Sequence, residues 1–167
     1  RRIAYRFLEG NGIEIGALHK PMTVPRRAKV SYVDRLPTEE LYNHYPEFRK
    51  AKLAPVSYVS DGEQLDGIGD TTQDFVIASH IIEHCQDTLG ALRNWLRVLK
   101  PNGILYMIVP DKRFTFDAPR PMTTTDHVLK DHKDGPKQSR HKHYREWAKL
   151  VDALPDDQVE ARAHALE

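Results

Sequence analysis

The stretch DFVIASHIIEH at residues 74–84 decides the fold, because its apolar first half runs directly into a polar turn. A second near-continuous apolar run, GILYMIVP, follows at residues 103–110. Strands that are apolar on both faces are typical of parallel sheets covered by helices on each side. The sequence therefore predicts an α/β fold with a buried parallel sheet at its centre.

Shorter segments around these two runs complete an alternation of strands and helices. Strands are predicted over residues 12–16, 29–34, 55–60, 74–79 and 103–110. Helices are predicted over residues 38–52, 89–99, 140–153 and 156–167, with Pro46 as a candidate break in the first. This order indicates a doubly wound, mostly parallel, Rossmann-like sheet of about five strands.

Composition argues against several classes of protein. The 167 residues are 40% apolar and 29% charged, and their mean hydropathy is −0.62, as in a soluble globular domain. The longest apolar run is far shorter than the ~20 residues of a membrane span. A net charge of +1 argues against nucleic acid as a partner. The single cysteine, Cys85, leaves no internal disulfide and favours a reducing, cytoplasmic location.

The charges are distributed in blocks along the chain. Residues 112–149 carry a net charge of +5, whereas residues 53–111 carry −5. We expect one domain over residues 1–167, with a core at 12–111, a basic lid or substrate segment at 112–149 and a helical tail at 150–167. The basic segment favours an anionic small-molecule substrate.

Acidic residues stand where the first three predicted strands end. Glu14 lies inside the first strand and is followed by Gly16. Asp34 ends the second strand, while Asp61 and Glu63 follow the third. In a doubly wound sheet the ligand lies beyond the carboxyl ends of the strands, and an acid after the second strand can accept hydrogen bonds from ribose hydroxyls.

At these positions the sequence resembles class I S-adenosylmethionine (AdoMet)-dependent methyltransferases of the small-molecule branch. The matching stretches are GIEIG at 12–16, YVD at 32–34, SDGE at 60–63, QDFVIASHIIEH at 73–84 and LRNWLRVLKPNGILY at 92–106. The sequence is most similar to bacterial methyltransferase-like proteins associated with glycosyltransferases. The resemblance covers residues 12–111, which makes them the expected cofactor-binding core, and it implies AdoMet as cofactor and S-adenosylhomocysteine (AdoHcy) as product.

The resemblance also implies a role for each of the acidic residues. Glu14 and Gly16 fall in the first AdoMet motif, and Asp34 falls at the ribose position. Asp61 and Glu63 fall on the loop beside the adenine.

Two features depart from the family pattern. Leu18 occupies the position of the second glycine of the first loop, and Pro21 follows closely. The first helix is therefore expected to be short or absent. In addition, no sixth and seventh strands are apparent after the fifth, so the usual C-terminal hairpin is expected to be missing and the chain to be truncated.

The end of the fourth strand is the predicted position of the chemistry. Ser79 falls near the methionine part of the cofactor, and His80 is the first candidate for a general base. His84 and Asp111 are the reserve candidates. The predicted function is AdoMet-dependent methyl transfer to a small molecule, such as a sugar or glycan precursor.

Two other functions remain open at this point. A noncatalytic methyltransferase-like domain that binds a partner or nucleotide would account for Leu18 and the shortened first helix. A zinc metallopeptidase is suggested by His80-x-x-Glu83-His84, although this motif belongs in a long helix and here follows a strand. We therefore expect no metal at the motif.

Four histidines lie in the basic segment: His127, His132, His141 and His143. His141 and His143 are two positions apart, so on a helix they point to different faces. These histidines are expected to be solvated rather than to bind a metal.

Overall fold

Five strands and six helices make up residues 2–167, the part of the chain that the computed structural model describes. The strands are β1 (Gly10–Ile15), β2 (Ala28–Asp34), β3 (Val56–Val59), β4 (Gln73–Ser79) and β5 (Leu99–Ile108). The helices are α1 (Arg2–Phe7), α2 (Thr38–His44), α3 (Thr88–Val98), α4 (Thr125–Asp134), α5 (Lys137–Leu150) and α6 (Asp156–Leu166). None of these helices combines the length and hydrophobicity required to cross a membrane.

The five strands are all parallel and lie in the order β3-β2-β1-β4-β5. The chain adds β2 and β3 on one side of β1, and then crosses to the other side for β4 and β5. The predicted doubly wound α/β fold is therefore confirmed. The switch in direction falls between β1 and β4, and in sheets of this type ligands bind beyond the carboxyl ends of the strands at such a point.

Both faces of the sheet are covered by apolar side chains, because successive residues of a strand point to opposite faces. On one face α3 packs against the strands in a buried cluster that contains Ile13, Ile15, Val33, Val76, Ala78, Ala91, Trp95 and Val98. On the other face Phe75 and Ile77 of β4 cluster with Ala4 of α1 and Leu8. β4 is thus buried from both sides, as its sequence predicts.

The amino end of the sheet is held together by one carboxylate. Asp74 accepts a hydrogen bond from the Asn11 backbone N–H at 2.8 Å and pairs with the Lys100 ammonium at 2.7 Å. These contacts connect β4 to both of its neighbours, β1 and β5. The Lys100 ammonium and the Asn11 N–H lower the pKa of the Asp74 carboxyl.

The observed elements differ from the predicted ones in four places. Residues 2–7 form α1 and residues 125–134 form α4, and neither helix was predicted. Residues 100–102, which lie between the predicted helix 89–99 and the predicted strand 103–110, belong to an irregular start of β5, where the pairing with β4 shifts and Asn102 has a φ of +67°. The helix predicted over 38–52 ends at His44, because Pro46 begins a separate 3-10 turn.

The chain divides into two compact units. The sheet unit comprises the described residues up to Cys85 together with Gly90–Val109, and the helical unit comprises Gln86–Leu89 and Pro110–Glu167. All five strands belong to the sheet unit, whereas α4, α5 and α6 belong to the helical unit. The single-domain organisation stays a prediction.

In the helical unit, α5 and α6 pack through small side chains and are linked by ion pairs. Ala148, Val159 and Ala163 are buried. Lys149 pairs with Asp156 at 2.8 Å, and Arg145 pairs with Glu160 at 3.1 Å. Exposed pairs of this kind contribute about 1 kcal/mol or less each, so apolar burial carries most of the stability of this contact.

We expect Gly12→Ala to lower the free energy of unfolding by about 2–3 kcal/mol, because the site cannot accept a side chain without strain. Gly12 lies in β1 opposite Phe75 of β4, and a Cβ at Gly12 would overlap the backbone oxygen and the ring of Phe75. Urea denaturation measures the loss. In the control Gly69→Ala the new Cβ meets the Thr72 methyl group at 3.1 Å, and we expect a change within about 1 kcal/mol. Equal losses in both variants would contradict the steric argument.

Candidate active site

The polar residues predicted for the site lie at the carboxyl ends of four adjacent strands. Gly16 directly follows β1, Asp34 ends β2, Asp61 lies just after β3, and His80 directly follows β4. Because all the strands are parallel, these residues share one edge of the sheet, the edge at which doubly wound folds bind ligands. All of them belong to the sheet unit.

Glu14 is a buried carboxylate that holds the loop after β1. Its side chain is 2% exposed, and its two oxygens accept the Met22 backbone N–H at 2.9 and 3.0 Å. Burial raises the pKa of the Glu14 carboxyl to about 7, although the Met22 N–H opposes part of this shift. Glu14 therefore positions the backbone of residues 16–27, whereas its predicted contact with a cofactor stays a prediction.

Two residues of the loop after β1 have a left-handed backbone conformation. Gly16 has a φ of +64°, and a Cβ there would meet the Ile81 side chain at 2.7 Å. Leu18 has a φ of +46°, and its carbonyl accepts the Ala54 N–H at 2.7 Å. Left-handed backbone costs a residue with a Cβ roughly 1–2 kcal/mol. Leu18 thus keeps the backbone conformation that glycine favours, at the position where the family carries a glycine.

Among the described residues of this loop, His19 has an unsatisfied polar atom. Its ring stacks on Phe48 with centroids 4.1 Å apart, and its buried Nδ1 has no hydrogen-bond partner in residues 2–167. A buried polar atom without a partner is rare in folded proteins and calls for a ligand or water. The described loop 16–27 contains no helix, as expected from Pro21. The Nδ1 of His19 therefore fits a polar group of a ligand bound at this loop.

Asp34 is a half-buried carboxylate at the end of β2. Burial raises the pKa of its carboxyl, while the Arg35 backbone N–H at 2.8 Å and the Arg35 guanidinium oppose the shift. The Asp34 carbonyl accepts the Ser60 N–H at 2.9 Å and so joins the ends of β2 and β3. A partly desolvated carboxylate in a fixed position is a strong acceptor for ligand hydroxyl groups.

The loop after β3 is fixed by α3. The Asp61 side chain accepts the Glu63 N–H at 2.7 Å, which closes a local turn. The Trp95 indole donates to the Gly62 carbonyl at 2.7 Å, and the Asn94 amide donates to the Glu63 carbonyl at 2.9 Å. These bonds hold the loop rigidly, and the expected contacts of Asp61 and Glu63 with an adenine stay predictions.

His80 is strained at the end of β4, directly after Ser79. Its φ is +57°, and its N–H donates to the Ile108 carbonyl of β5 at 2.9 Å. Its Nδ1 lies 3.4 Å from a Glu83 carboxylate oxygen, and its side chain is 58% exposed. Strained residues of this type cluster at functional sites. Glu83 therefore faces the Nδ1 side of the ring, and the role of His80 as a general base stays a prediction.

The zinc-binding interpretation of His80-x-x-Glu83-His84 does not fit the local structure. Ile82–His84 is a 3-10 turn, and His80 lies outside it in a left-handed conformation. Two histidines four positions apart share one face only within an α-helix. The sequence motif is therefore not a helical metal-binding motif in this fold, and Glu83 serves His80 instead.

Asp111 belongs to the helical unit and is engaged locally. It caps the 3-10 turn Lys112–Phe114 and pairs with the Arg113 guanidinium at 2.5 Å. The Arg113 side chain and N–H lower the pKa of the Asp111 carboxyl. A carboxylate held ionised in this way is a weak proton acceptor, so His80 is the better candidate base.

The sequence did not indicate two of these contacts. The contact of Ile81 with Gly16 joins the loops after β1 and β4, and Ile81 reads as an ordinary apolar residue. The bond from Met22 to Glu14 depends on the shape of a loop without periodic structure. The pairing of His80 with Glu83 is the contact for which the sequence held a signal, because the two residues are three positions apart, but the motif suggested a metal site instead.

Comparison with known proteins identifies one family. Residues 12–107 match the model of a methyltransferase domain. This stretch covers more than half of the chain and includes all five strands except the first two residues of β1 and the last residue of β5. No curated protein gives a significant match.

Three solved structures illustrate what the fold is similar to. A SAM-dependent methyltransferase from Aquifex aeolicus is 23% identical over 57% of this chain and 54% of that chain, with a TM-score of 0.40. An arsenic(III) S-adenosylmethionine methyltransferase from Chlamydomonas reinhardtii is 23% identical over 60% of this chain and 39% of that chain, with a TM-score of 0.45. A SAM-dependent methyltransferase from Thermotoga maritima, described as a possible histamine N-methyltransferase, is 18% identical over 96% of this chain and 72% of that chain, with a TM-score of 0.46. The chain spans about half or less of the length of the first two.

We expect Glu14→Gln to remove a pH dependence of stability that the raised pKa creates. Between pH 4.5 and about 7 the folded protein keeps a proton on Glu14 that the unfolded chain has lost, so stability falls as pH rises through this window. The shift corresponds to about 3 kcal/mol. In urea denaturation from pH 4.5 to 8, the stability of Glu14→Gln relative to the parent should therefore rise by about this amount. A difference that stays constant with pH would contradict the assignment, and Glu9→Gln, an exposed site, serves as the control.

Proposed function

The chain belongs to the class I S-adenosylmethionine-dependent methyltransferase family, and on that premise we propose that it transfers a methyl group from AdoMet to a small-molecule acceptor. The observation that carries the proposal is the line of polar groups at the carboxyl ends of β1, β2 and β4, next to the switch point of the sheet. The chemistry of these groups matches what a nucleoside with an amino-acid tail requires.

The residues present fit such a cofactor at two points. The half-buried Asp34 carboxylate suits the ribose hydroxyls, and the unpartnered Nδ1 of His19 suits a polar group at the loop after β1. A side chain at position 16 would collide with Ile81, so the glycine lets the loop after β1 lie against Ile81. In this proposal Asp61 and Glu63 lie beside the adenine, and Ser79 lies beside the methionine part.

When bound, AdoMet supplies an electrophilic methyl group on a sulfonium. The chain itself must hold the acceptor in line and, for a hydroxyl or protonated amine, accept a proton. His80 is the proposed base, because Glu83 orients its ring through Nδ1. Glu83 is then a positioning residue, and His84 and Asp111 are the alternatives to His80.

For the acceptor we propose a small molecule such as a sugar or glycan precursor. The +5 charge of residues 112–149 supports an anionic group on it. Two of the arginines in this segment are already paired, Arg113 with Asp111 at 2.5 Å and Arg120 with Asp117 at 2.9 Å. Arg145 and Lys149 are paired as well, with Glu160 and Asp156, so the support for an anionic acceptor is the net charge of the segment rather than any of these four side chains.

A noncatalytic methyltransferase-like domain is the second candidate. The absence of a helix from residues 16–27 favours it, because a helix N-terminus at this loop would help to hold an anionic carboxylate. The two candidates differ in whether bound AdoMet is ever consumed.

We expect Asp34→Ala to weaken AdoHcy binding at least tenfold, because hydrogen bonds to a charged acceptor contribute about 1.5–3 kcal/mol each. Isothermal titration calorimetry with AdoHcy measures the affinity. Glu9→Ala is the matched control, since Glu9 is an exposed carboxylate next to the amino end of β1 and should leave the affinity unchanged. Unchanged affinity in Asp34→Ala would remove this residue from the site. No binding by the parent protein would count against the proposed function itself.

With an acceptor that supports AdoHcy release, His80→Ala should lower turnover about 10²–10⁴-fold, the usual contribution of a general base. AdoHcy affinity should change much less, which separates a base from a cofactor ligand. Glu83→Gln should retain part of the activity and shift its pH profile, because the ring loses its orienting carboxylate. Full turnover in His80→Ala would show that alignment alone drives the transfer, and binding without turnover for any acceptor would favour the noncatalytic domain.

A further inference from the structure

Two histidines and one aspartate of the helical unit converge between α4 and α5, and we call them the α4–α5 cluster. His127 and Asp131 are one turn apart on α4, and His143 comes from α5. The two Nε2 atoms of the histidines lie 2.8 Å apart, and the Nε2 of His127 lies 3.1 Å from an Asp131 oxygen. The His127 and Asp131 side chains are only 26% and 14% exposed. The three side chains therefore bring their ligand atoms to one half-buried point.

The carboxylate of this cluster is held in position from behind. The Ser139 hydroxyl donates to one Asp131 oxygen at 2.7 Å, and the other oxygen is the one near His127. Hydrogen bonds to a ligating carboxylate, which fix its orientation, are a regular feature of metal sites. The cluster thus has an outer support as well as three inner ligands.

Without a bound ion, the close polar contacts of the cluster cannot all be hydrogen bonds at the same time. Arg120, which can only donate, lies 3.4 Å from Nδ1 of His143, and this contact requires the proton of a neutral His143 to be on Nε2. His127 must then accept at its own Nε2, and two acceptors, that nitrogen and the ionised Asp131 oxygen, face each other at 3.1 Å. With His127 donating to Asp131 instead, the contact with Arg120 is lost. No single arrangement of protons therefore satisfies all three contacts while Asp131 is ionised.

We propose that the α4–α5 cluster binds one divalent transition-metal ion of the Zn²⁺ class through His127, Asp131 and His143. Two imidazole nitrogens and a carboxylate oxygen form a donor set suited to Zn²⁺ and Co²⁺, and three protein ligands leave a fourth position for water. Tetrahedral ligands at ~2.0–2.2 Å from the ion are about 3.3 Å apart, so the observed pairs need to open by only a few tenths of an ångström.

A second group of similar composition serves as an internal comparison. His141 has a carboxylate at each ring nitrogen, Glu160 at 2.7 Å and Glu167 at 2.8 Å. Both nitrogens donate when the ring is protonated, and these bonds raise the pKa of His141. An imidazolium therefore satisfies this group without an ion. The expectation that the four histidines of this segment are solvated is wrong. His127 and His143 face each other, His132 pairs with Asp87 at 3.0 Å, and His141 pairs with two glutamates.

Titration of the full chain with Co²⁺, followed by visible absorption and by Zn²⁺ competition, tests the proposal. We expect one ion per chain. His143→Gln and Asp131→Asn should each weaken binding at least tenfold, as loss of a ligand does. His141→Gln and His84→Gln should leave the affinity within about threefold, because these histidines lie outside the cluster. No saturable binding by the parent, or loss of binding in His141→Gln or His84→Gln instead of the cluster variants, would overturn the proposal.

A variant of Arg120 should change the metal affinity in the opposite direction to the ligand variants. Its guanidinium faces His143 and pairs with Asp117 at 2.9 Å and, less closely, with Glu146 at 3.8 Å. Removing a positive charge beside a cation site should tighten binding, so we expect Arg120→Gln to bind Co²⁺ several-fold more tightly than the parent. Unchanged or weaker binding would contradict the site. This variant keeps all three ligands, so it decides the question even where a ligand variant fails to fold.

Discussion

The structure depends on the burial of β4 from both sides. α3 covers one face of this strand and α1 covers the other, while β1 and β5 pair with its two edges. A strand enclosed in this way cannot shift its register without exposing a whole row of apolar side chains. The position of His80, and with it the point at which the loops after β1 and β4 meet, is therefore fixed by the core rather than by the loops.

That dependence explains why much of the fold was predictable from the sequence and much of the site was not. All five strands were predicted, and the clearest of them is β4, because residues 75–78 are continuously apolar. α1 was missed, because a helix of six residues is too short to show a period. The contact of Ile81 with Gly16 and the bond from Met22 to Glu14 involve loops, and loop shape follows from tertiary contacts that no local pattern records.

The histidines show the same limit from another side. His141 and His143 are neighbours in sequence, and considered as a pair on one helix they diverge, as predicted. Their partners are distant: His127 lies 16 positions before His143, and Glu160 lies 19 positions after His141. Because helix packing rather than spacing creates these pairs, the sequence indicated neither the cluster between α4 and α5 nor the imidazolium between α5 and α6.

The position of the Asp74 carboxylate bears on how sequence changes can accumulate in this fold during evolution. It joins β1, β4 and β5 at the amino end of the sheet, opposite the edge that carries Asp34 and His80. The interactions that stabilise the sheet and the proposed site thus lie at opposite ends of the same strands. Substitutions in the loops at the carboxyl end can alter ligand preference while the interactions at the amino end keep the strands in place. A division of this kind allows a single scaffold to acquire new acceptors through small sequence changes.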